Sequence, residues 1–142
     1  MNVCVYYEKI NEDSIRINRV YSLSPKIEIP ESIDGYVVRE IGNYCFSSKK
    51  VDLSKAILSC DIPSNYHECS GVDVESVKFP STLKKLGNYA FYNCRKLKEI
   101  YLPFSLISDW WFPLSIICPC SKTIIQSLFL MVDKRWAITS VV

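Results

Sequence analysis

The feature that most constrains this chain is a pair of phrases that recur along it. GNYCF at 42–46 returns as GNYAF at 87–91, and IEIPESI at 27–33 returns as VKFPSTL at 77–83 and as IYLPFSL at 100–106. A weaker copy, VDLSKAI, stands at 51–57, so the copies begin at Ile27, Val51, Val77 and Ile100, with spacings of 24, 26 and 23 residues. Self-similarity at such a period marks a repeat architecture. Register supports the weak copy. The first position holds Ile27, Val51, Val77 and Ile100, the third Ile29, Leu53, Phe79 and Leu102, and the seventh Ile33, Ile57, Leu83 and Leu106. All twelve are large and apolar in a chain that is 49% hydrophobic, which points to a four-fold repeat.

Apolar, variable, apolar is the period-two signature of a short strand with one buried face. Pro30, Pro80 and Pro103 follow the third position, with Ser54 in the weak copy. Proline has no amide to continue a ladder, so each strand is expected to stop there. The chain then returns through a less regular segment, best seen at 83–100, where Gly87-Asn88 signals a turn and Leu86, Ala90, Phe91, Cys94 and Leu97 supply inward groups. A single coil cannot bury its own apolar face, whereas stacked coils can. Burying Phe46 and Phe91 in a shared stack is expected to contribute about 2–3 kcal/mol each. Upstream, residues 3–8 and 15–20 read as two strands around a polar turn at 11–14, giving a hairpin cap over 1–26. The coils then occupy 27–107. Residues 108–142 form a divergent tail with a possible strand near Ile124, either a closing cap or a remnant of a longer array.

Residues 77–102 carry Val77, Phe79, Pro80, Leu83, Leu86, Gly87, Ala90, Phe91, Cys94, Leu97 and Ile100 in an order that closely resembles the BspA-like leucine-rich repeat. Residues 27–46 resemble a first-repeat variant through Ile33, Val37 and Ile41, and the resemblance spans about 15–107. It implies a right-handed leucine-rich-repeat solenoid, with short parallel strands on one face and irregular return segments. It also implies protein recognition and no catalytic residues. The coil at 51–76 departs from the pattern, having IPSNYHEC at 62–69 where the G-x-x-A-F element belongs.

Charge excludes some partners. Seventeen basic against fifteen acidic residues leave a net +2, and no Lys/Arg run exceeds two, so neither a nucleic-acid stripe nor a polybasic membrane patch is expected. The first twenty residues carry Glu8, Lys9, Glu12 and Asp13 where an export signal needs an apolar stretch. The seven cysteines are an odd number. Both features point to a reducing, cytoplasmic setting with cysteines acting as small buried hydrophobes. The family resemblance keeps the cell surface as an alternative. The apolar stretch from Trp110 to Val132 is interrupted by Pro113, Pro119 and Lys122, so no membrane span is expected.

There is no GxSxG, HExxH, Walker loop or GxGxxG, and three of the four glycines are placed at turns in or beside repeats. The reading is therefore not an enzyme, with no cofactor and no metal. Cys60, His67 and Cys69 form the one trio that raises a thiol- or metal-dependent alternative, although zinc spacing is absent. Cys118 and Cys120 form a C-x-C, and Cys45 and Cys94 occupy core positions of the repeat.

Parallel stacking would turn the residues flanking and between the apolar positions outward, in two columns. These are Lys26 and Glu28, Lys50 and Asp52, Ser76 and Lys78, and Glu99 and Tyr101. Mixed charge with a tyrosine suits a protein-binding patch. Trp110, Trp111 and Phe112 offer a second surface or a cap. The leading function is thus a protein-interaction module of unidentified partner, and the alternative is a spacer or fragment of a larger repeat protein.

Overall fold

In a computed structural model the chain is described over residues 2–103, at residue 106, and along the backbone of 128–132 and 135–139. It begins with an antiparallel hairpin of β1 (Val3–Lys9) and β2 (Ser14–Ser22). Val3, Val5 and Tyr7 alternate into the core, as period two requires. The pairing slips between Tyr6↔Arg19 and Tyr7↔Ile17, leaving Asn18 as a bulge. That slip rephases β2, so Ile15 and Ile17 before it and Val20 after it all enter the core.

β3 (Lys26–Glu28), β4 (Ser32–Ile33) and β5 (Tyr36–Ile41) follow. β4 and β5 form a tight hairpin on Asp34-Gly35, whose φ values of +53° and +84° are the combination a two-residue type I′ loop needs. β6 (Ile57–Leu58), β7 (His67–Glu68) and a 3-10 turn at Gly71–Asp73 precede β8 (Ser76–Lys78), β9 (Lys85–Leu86) and β10 (Glu99–Pro103). β11 (Leu128–Val132) and β12 (Arg135–Thr139) complete the described strands.

Two parallel ladders carry the repeat. On one, Ile27, Val77 and Ile100 align across β3, β8 and β10. On the other, Ile17, Ile41 and Leu86 align across β2, β5 and β9. The return segment is therefore less irregular than expected. The stretch before each G-N-Y turn forms its own short strand, because Ile41 and Leu86 pack on the core as the ladder residues do.

Three expectations are corrected. The sheets are mixed, since β1, β4, β6, β7, β11 and β12 all pair antiparallel. The segment at 51–57 is not a coil of the stack, because β3 pairs directly with β8. Ile57 and Leu58 instead pair antiparallel with Tyr7 and Tyr6 on β1. VDLSKAI has the apolar register but lacks both the proline stop and a following G-x-x-A-F turn, so nothing locks it between its neighbours. The third correction is a disulfide between Cys4 and Cys60, with Cα atoms 5.8 Å apart, where unpaired cysteines were expected. The expected tail strand near Ile124 lies outside the described residues. The β11–β12 hairpin extends the first sheet by pairing β12 with β10.

The two turns stack on each other. Tyr44 N–H donates to Asn88 O (3.1 Å), Phe46 N–H to Ala90 O (2.8 Å), and Asn88 N–H to Asn43 Oδ1 (2.8 Å). Phe46 and Phe91 lie parallel at 5.1 Å between centroids, and Phe79 meets both edge-on at about 6 Å. Such aromatic pairs contribute about 0.5–1.5 kcal/mol beyond the area they bury. Gly42 and Gly87 serve close approach. A β-carbon at 87 would lie 2.5 Å from Asn43 N and from Gly42 O. The left-handed residues of these turns are Tyr44 (φ +59°) and Tyr89 (φ +55°).

Gly87→Ala is accordingly expected to lower the unfolding free energy by about 3 kcal/mol through overpacking. Gly35→Ala, with open space around it, should lose about 1 kcal/mol from left-handed backbone alone. Urea denaturation of the two variants checks this, and equal losses would remove close approach as the reason for glycine at 87.

Candidate interaction surface

The exposed side of the first sheet is built by the in-register ladder of β3, β8 and β10. Lys26, Ser76 and Glu99 align in one column, and Glu28, Lys78 and Tyr101 in the other. Both columns flank the buried row of Ile27, Val77 and Ile100, so alternation along each three-residue stretch turns them to solvent. Lys26, Glu28 and Lys78 are exposed, while Ser76, Glu99 and Tyr101 are half-buried. Lys78 Nζ stands 3.9 Å from Glu28 Oε1 on the neighbouring strand. The Tyr101 hydroxyl donates to Glu99 Oε2 at 2.5 Å, which, with partial burial, raises the phenol above its ordinary range. Among the described residues β3 ends the sheet on one side, and the antiparallel β12 follows β10 on the other.

Six of the eight expected surface residues are thus brought together, and two are not. Lys50 and Asp52 line a separate cleft of about 520 Å³, together with Glu8, Arg16, Glu40, Tyr44 and Lys85. Arg16 bridges Glu8 (3.1 Å) and Glu40 (3.6 Å) in its wall, and the bulged Asn18 donates to Glu8 at 2.8 Å. The Asn18 amide and then the Arg16 guanidinium hold the Glu8 carboxyl below its usual range. Asp52 is lowered by the Ser54 backbone amide, which donates to it at 3.0 Å.

The Cys60–His67–Cys69 trio does not assemble. Cys60 is joined to Cys4, His67 pairs with Ser22 in the β7–β2 ladder, and Cys69 is buried with its amide on Val20 O. Among the described residues, no three His, Cys, Asp or Glu side chains are grouped to hold a metal ion. Trp110, Trp111, Phe112, Cys118 and Cys120 lie outside the described residues.

Sequence reasoning missed Arg19, which is 2% exposed. Its guanidinium donates to Ser47 O and Lys49 O at 2.6 Å each, and lies 3.4 Å from Glu68 Oε1. Nothing in the sequence marks it, since a lone arginine in an alternating strand reads as solvent-facing. The columns formed by Asn43 with Asn88 and by Tyr44 with Tyr89 were also missed. The identity of both positions in the two G-N-Y copies was the available signal. Tyr44 and Tyr89 stack at 5.4 Å, with Tyr92 edge-on to both and Lys49 Nζ 4.4 Å from the Tyr44 ring centroid.

Cys45 and Cys69 are fully buried, and burial pushes both thiols up, Cys69 to about 12. The folded chain therefore keeps protons that the unfolded chain releases above the ordinary value of 9.0. Stability contributed by these thiols is complete below that value and falls as pH rises towards 12. Melting temperature is expected to decline less between pH 9 and 11 in Cys69→Ala than in the parent chain. Iodoacetamide at pH 8 should alkylate Cys45 and Cys69 only in urea, and labelling of either in the folded chain at a free-thiol rate would contradict their burial.

Among known families, the model described as BspA type leucine rich repeat region (6 copies) matches residues 61–127. That span holds β8, β9, β10 and the second G-N-Y turn, and it begins after the first copy at 27–46. Comparison with curated proteins and with solved structures gave no significant match.

Proposed function

This chain carries a BspA-type leucine-rich repeat region at residues 61–127, and from that premise we propose that it is a protein-binding module. The partner docks on the ladder face formed by Lys26, Glu28, Ser76, Lys78, Glu99 and Tyr101. The observation that carries this reading is the strict register of the two outward columns across three parallel strands. A rigid in-register ladder presents charges at fixed spacing, so little conformational entropy is lost when a partner engages them. Tyr101 supplies the aromatic anchor, and the alternation of Lys26, Glu28, Lys78 and Glu99 supplies register and selectivity.

In this reading the stack is a short right-handed solenoid. Crossovers between parallel strands of one sheet, such as β3 to β8 and β8 to β10, are right-handed in about 98% of cases. The module has no catalytic residue and takes no cofactor. Lys50 and Asp52 drop out of the binding set, because they line the cleft and not the ladder. Repeat families of this kind are commonly used for protein interaction, which agrees with a function located in a surface and not in a pocket.

The test is a charge reversal that keeps the ladder intact. Glu28→Lys with Lys78→Glu inverts the cross-strand pair, and Tyr101→Ala removes the anchor. Exposed pairs contribute little to stability, about 0–1 kcal/mol, so the triple variant is expected to melt within a few degrees of the parent. A pull-down from cell extract should then recover a partner with the parent chain and lose it with the variant. Equal recovery by two equally stable proteins would show that the ladder face is idle.

A further inference from the structure

We propose that Cys4 and Cys60 form a reversible thiol–disulfide site that clamps the segment inserted between the first coil and β7, with a low-molecular-weight disulfide as its oxidising substrate.

The insertion departs from the rest of the chain in how it is held. Ser47 and Cys69, at its two ends, are both 0% exposed. Not one of the 21 residues between them, 48–68, is buried. Ile57, at its middle, is 44% exposed. Val51, Leu53, Ala56, Leu58, Ile62 and Tyr66 are only half-buried, so the hydrophobic effect fixes this segment less firmly than the coils on either side. Its mid-portion is held to β1 by few contacts. Tyr6 and Tyr7 pair with Leu58 and Ile57. Ser59 N–H donates to Val5 O, and Val5 N–H to Ser59 Oγ, both at 2.9 Å. The covalent link follows directly at Cys60. Backbone pairs this exposed open readily on their own, so the link decides whether the segment can leave.

The two sulfurs are suited to reversible exchange. Cys4 is 0% exposed, whereas Cys60 is exposed on the surface. Their Cα separation of 5.8 Å lies in the usual disulfide range. The Cys4 sulfur also stands 2.9 Å from the Cys60 carbonyl, so a reduced Cys4 thiol has an acceptor in place while the segment stays docked. Oxidation begins at the accessible sulfur. The Cys60 thiolate attacks a small disulfide RS–SR, forming Cys60–S–SR and releasing RS⁻. The Cys4 thiolate then attacks the Cys60 sulfur, the bond to SR breaks, and a second RS⁻ leaves. Both RS⁻ take up the protons given up by the two cysteines, so two thiols and RSSR become one protein disulfide and two RSH. In reverse, an external thiolate attacks the exposed Cys60 sulfur and expels the Cys4 thiolate. Release frees residues 50–52 as well, beyond the Lys49 carbonyl that Arg19 holds, and these form part of the wall of the cleft that Glu8 and Arg16 line.

The experiment uses the full chain, reduced with dithiothreitol or oxidised with oxidised glutathione, and the Cys60→Ser variant under both conditions. Peptide mapping without reductant should find the Cys4 peptide linked to the Cys60 peptide in the oxidised chain alone. Trypsin should cut after Lys55 at least tenfold faster in the reduced chain, while Cys60→Ser is cut at the fast rate under both conditions. A linked peptide that leaves cleavage after Lys55 unchanged would overturn the clamp. Glutathione remaining on Cys60, or no reaction at either cysteine, would overturn the pairing. An oxidant-dependent rate in Cys60→Ser would assign the effect to another cysteine and overturn the proposal.

Discussion

Backbone contact between Gly42 and Gly87 sets the spacing on which the stack depends. With no β-carbon at Gly87, the two turns approach closely enough for Tyr44 and Phe46 to donate their amides to Asn88 and Ala90, while the bare Gly42 lets the first turn close on Ile17 and Asn18 of β2. That distance is the ordinary spacing of neighbouring strands, about 4.8 Å, and side chains carried by equivalent positions inherit it. The Phe46–Phe91 separation of 5.1 Å and the Tyr44–Tyr89 separation of 5.4 Å follow from backbone register. Left-handed tyrosines at 44 and 89 cost about 1–2 kcal/mol each relative to an ordinary conformation. Glycine there would avoid the cost but forfeit the ring stack, so the repeat keeps glycine at the contact and an aromatic at the strained position.

The hairpin and the insertion are tied to this stack through one buried cation. Arg19 lies on β2, and its guanidinium reaches Ser47, Lys49 and Glu68. Those residues bracket the exposed insertion at both ends. A buried guanidinium is costly unless its donors are satisfied, so the carbonyls of Ser47 and Lys49 are held where the arginine needs them. The insertion can therefore lie exposed without loosening the coil it leaves or the strand it rejoins. The same arrangement explains how 49 residues lie between Ile27 and Val77 while the two remain adjacent in the ladder.

Much of this was legible in the sequence, and the parts that were not share a physical cause. The apolar columns at Ile27, Val77 and Ile100, the turn copies and the inward Ala90, Phe91, Cys94 and Leu97 all follow from periodicity. Six surface residues followed from the same alternation. The copy at 51–57 misled because apolar register is a property of any short amphipathic stretch. Entry into the stack also needs the turn that docks on the previous turn, and 62–69 has no glycine to make it. Arg19 and the Cys4–Cys60 pair were invisible for another reason. Each depends on residues 28 to 56 positions apart meeting through the insertion's path, and no local pattern encodes that path.

The two devices divide the surface between fixed and releasable parts. On the ladder face, Glu28 with Lys78 and Glu99 with Tyr101 already engage one another. The exposed Glu28–Lys78 pair holds its side chains near one arrangement at a net value of only about 0–1 kcal/mol. For the proposed partner, exchanging that pair for intermolecular contacts then costs little, while the backbone beneath is fixed by parallel pairing on both sides of β8. Positions 50 and 52 present charges on a segment with no such support, held to β1 by two residue pairs, Ser59 and one covalent bond. Pre-organisation therefore belongs to the ladder, and conditional exposure belongs to the insertion. A surface whose geometry is set by strand register is suited to recognition under any redox condition, because neither Cys4 nor Cys60 lies in β3, β8 or β10.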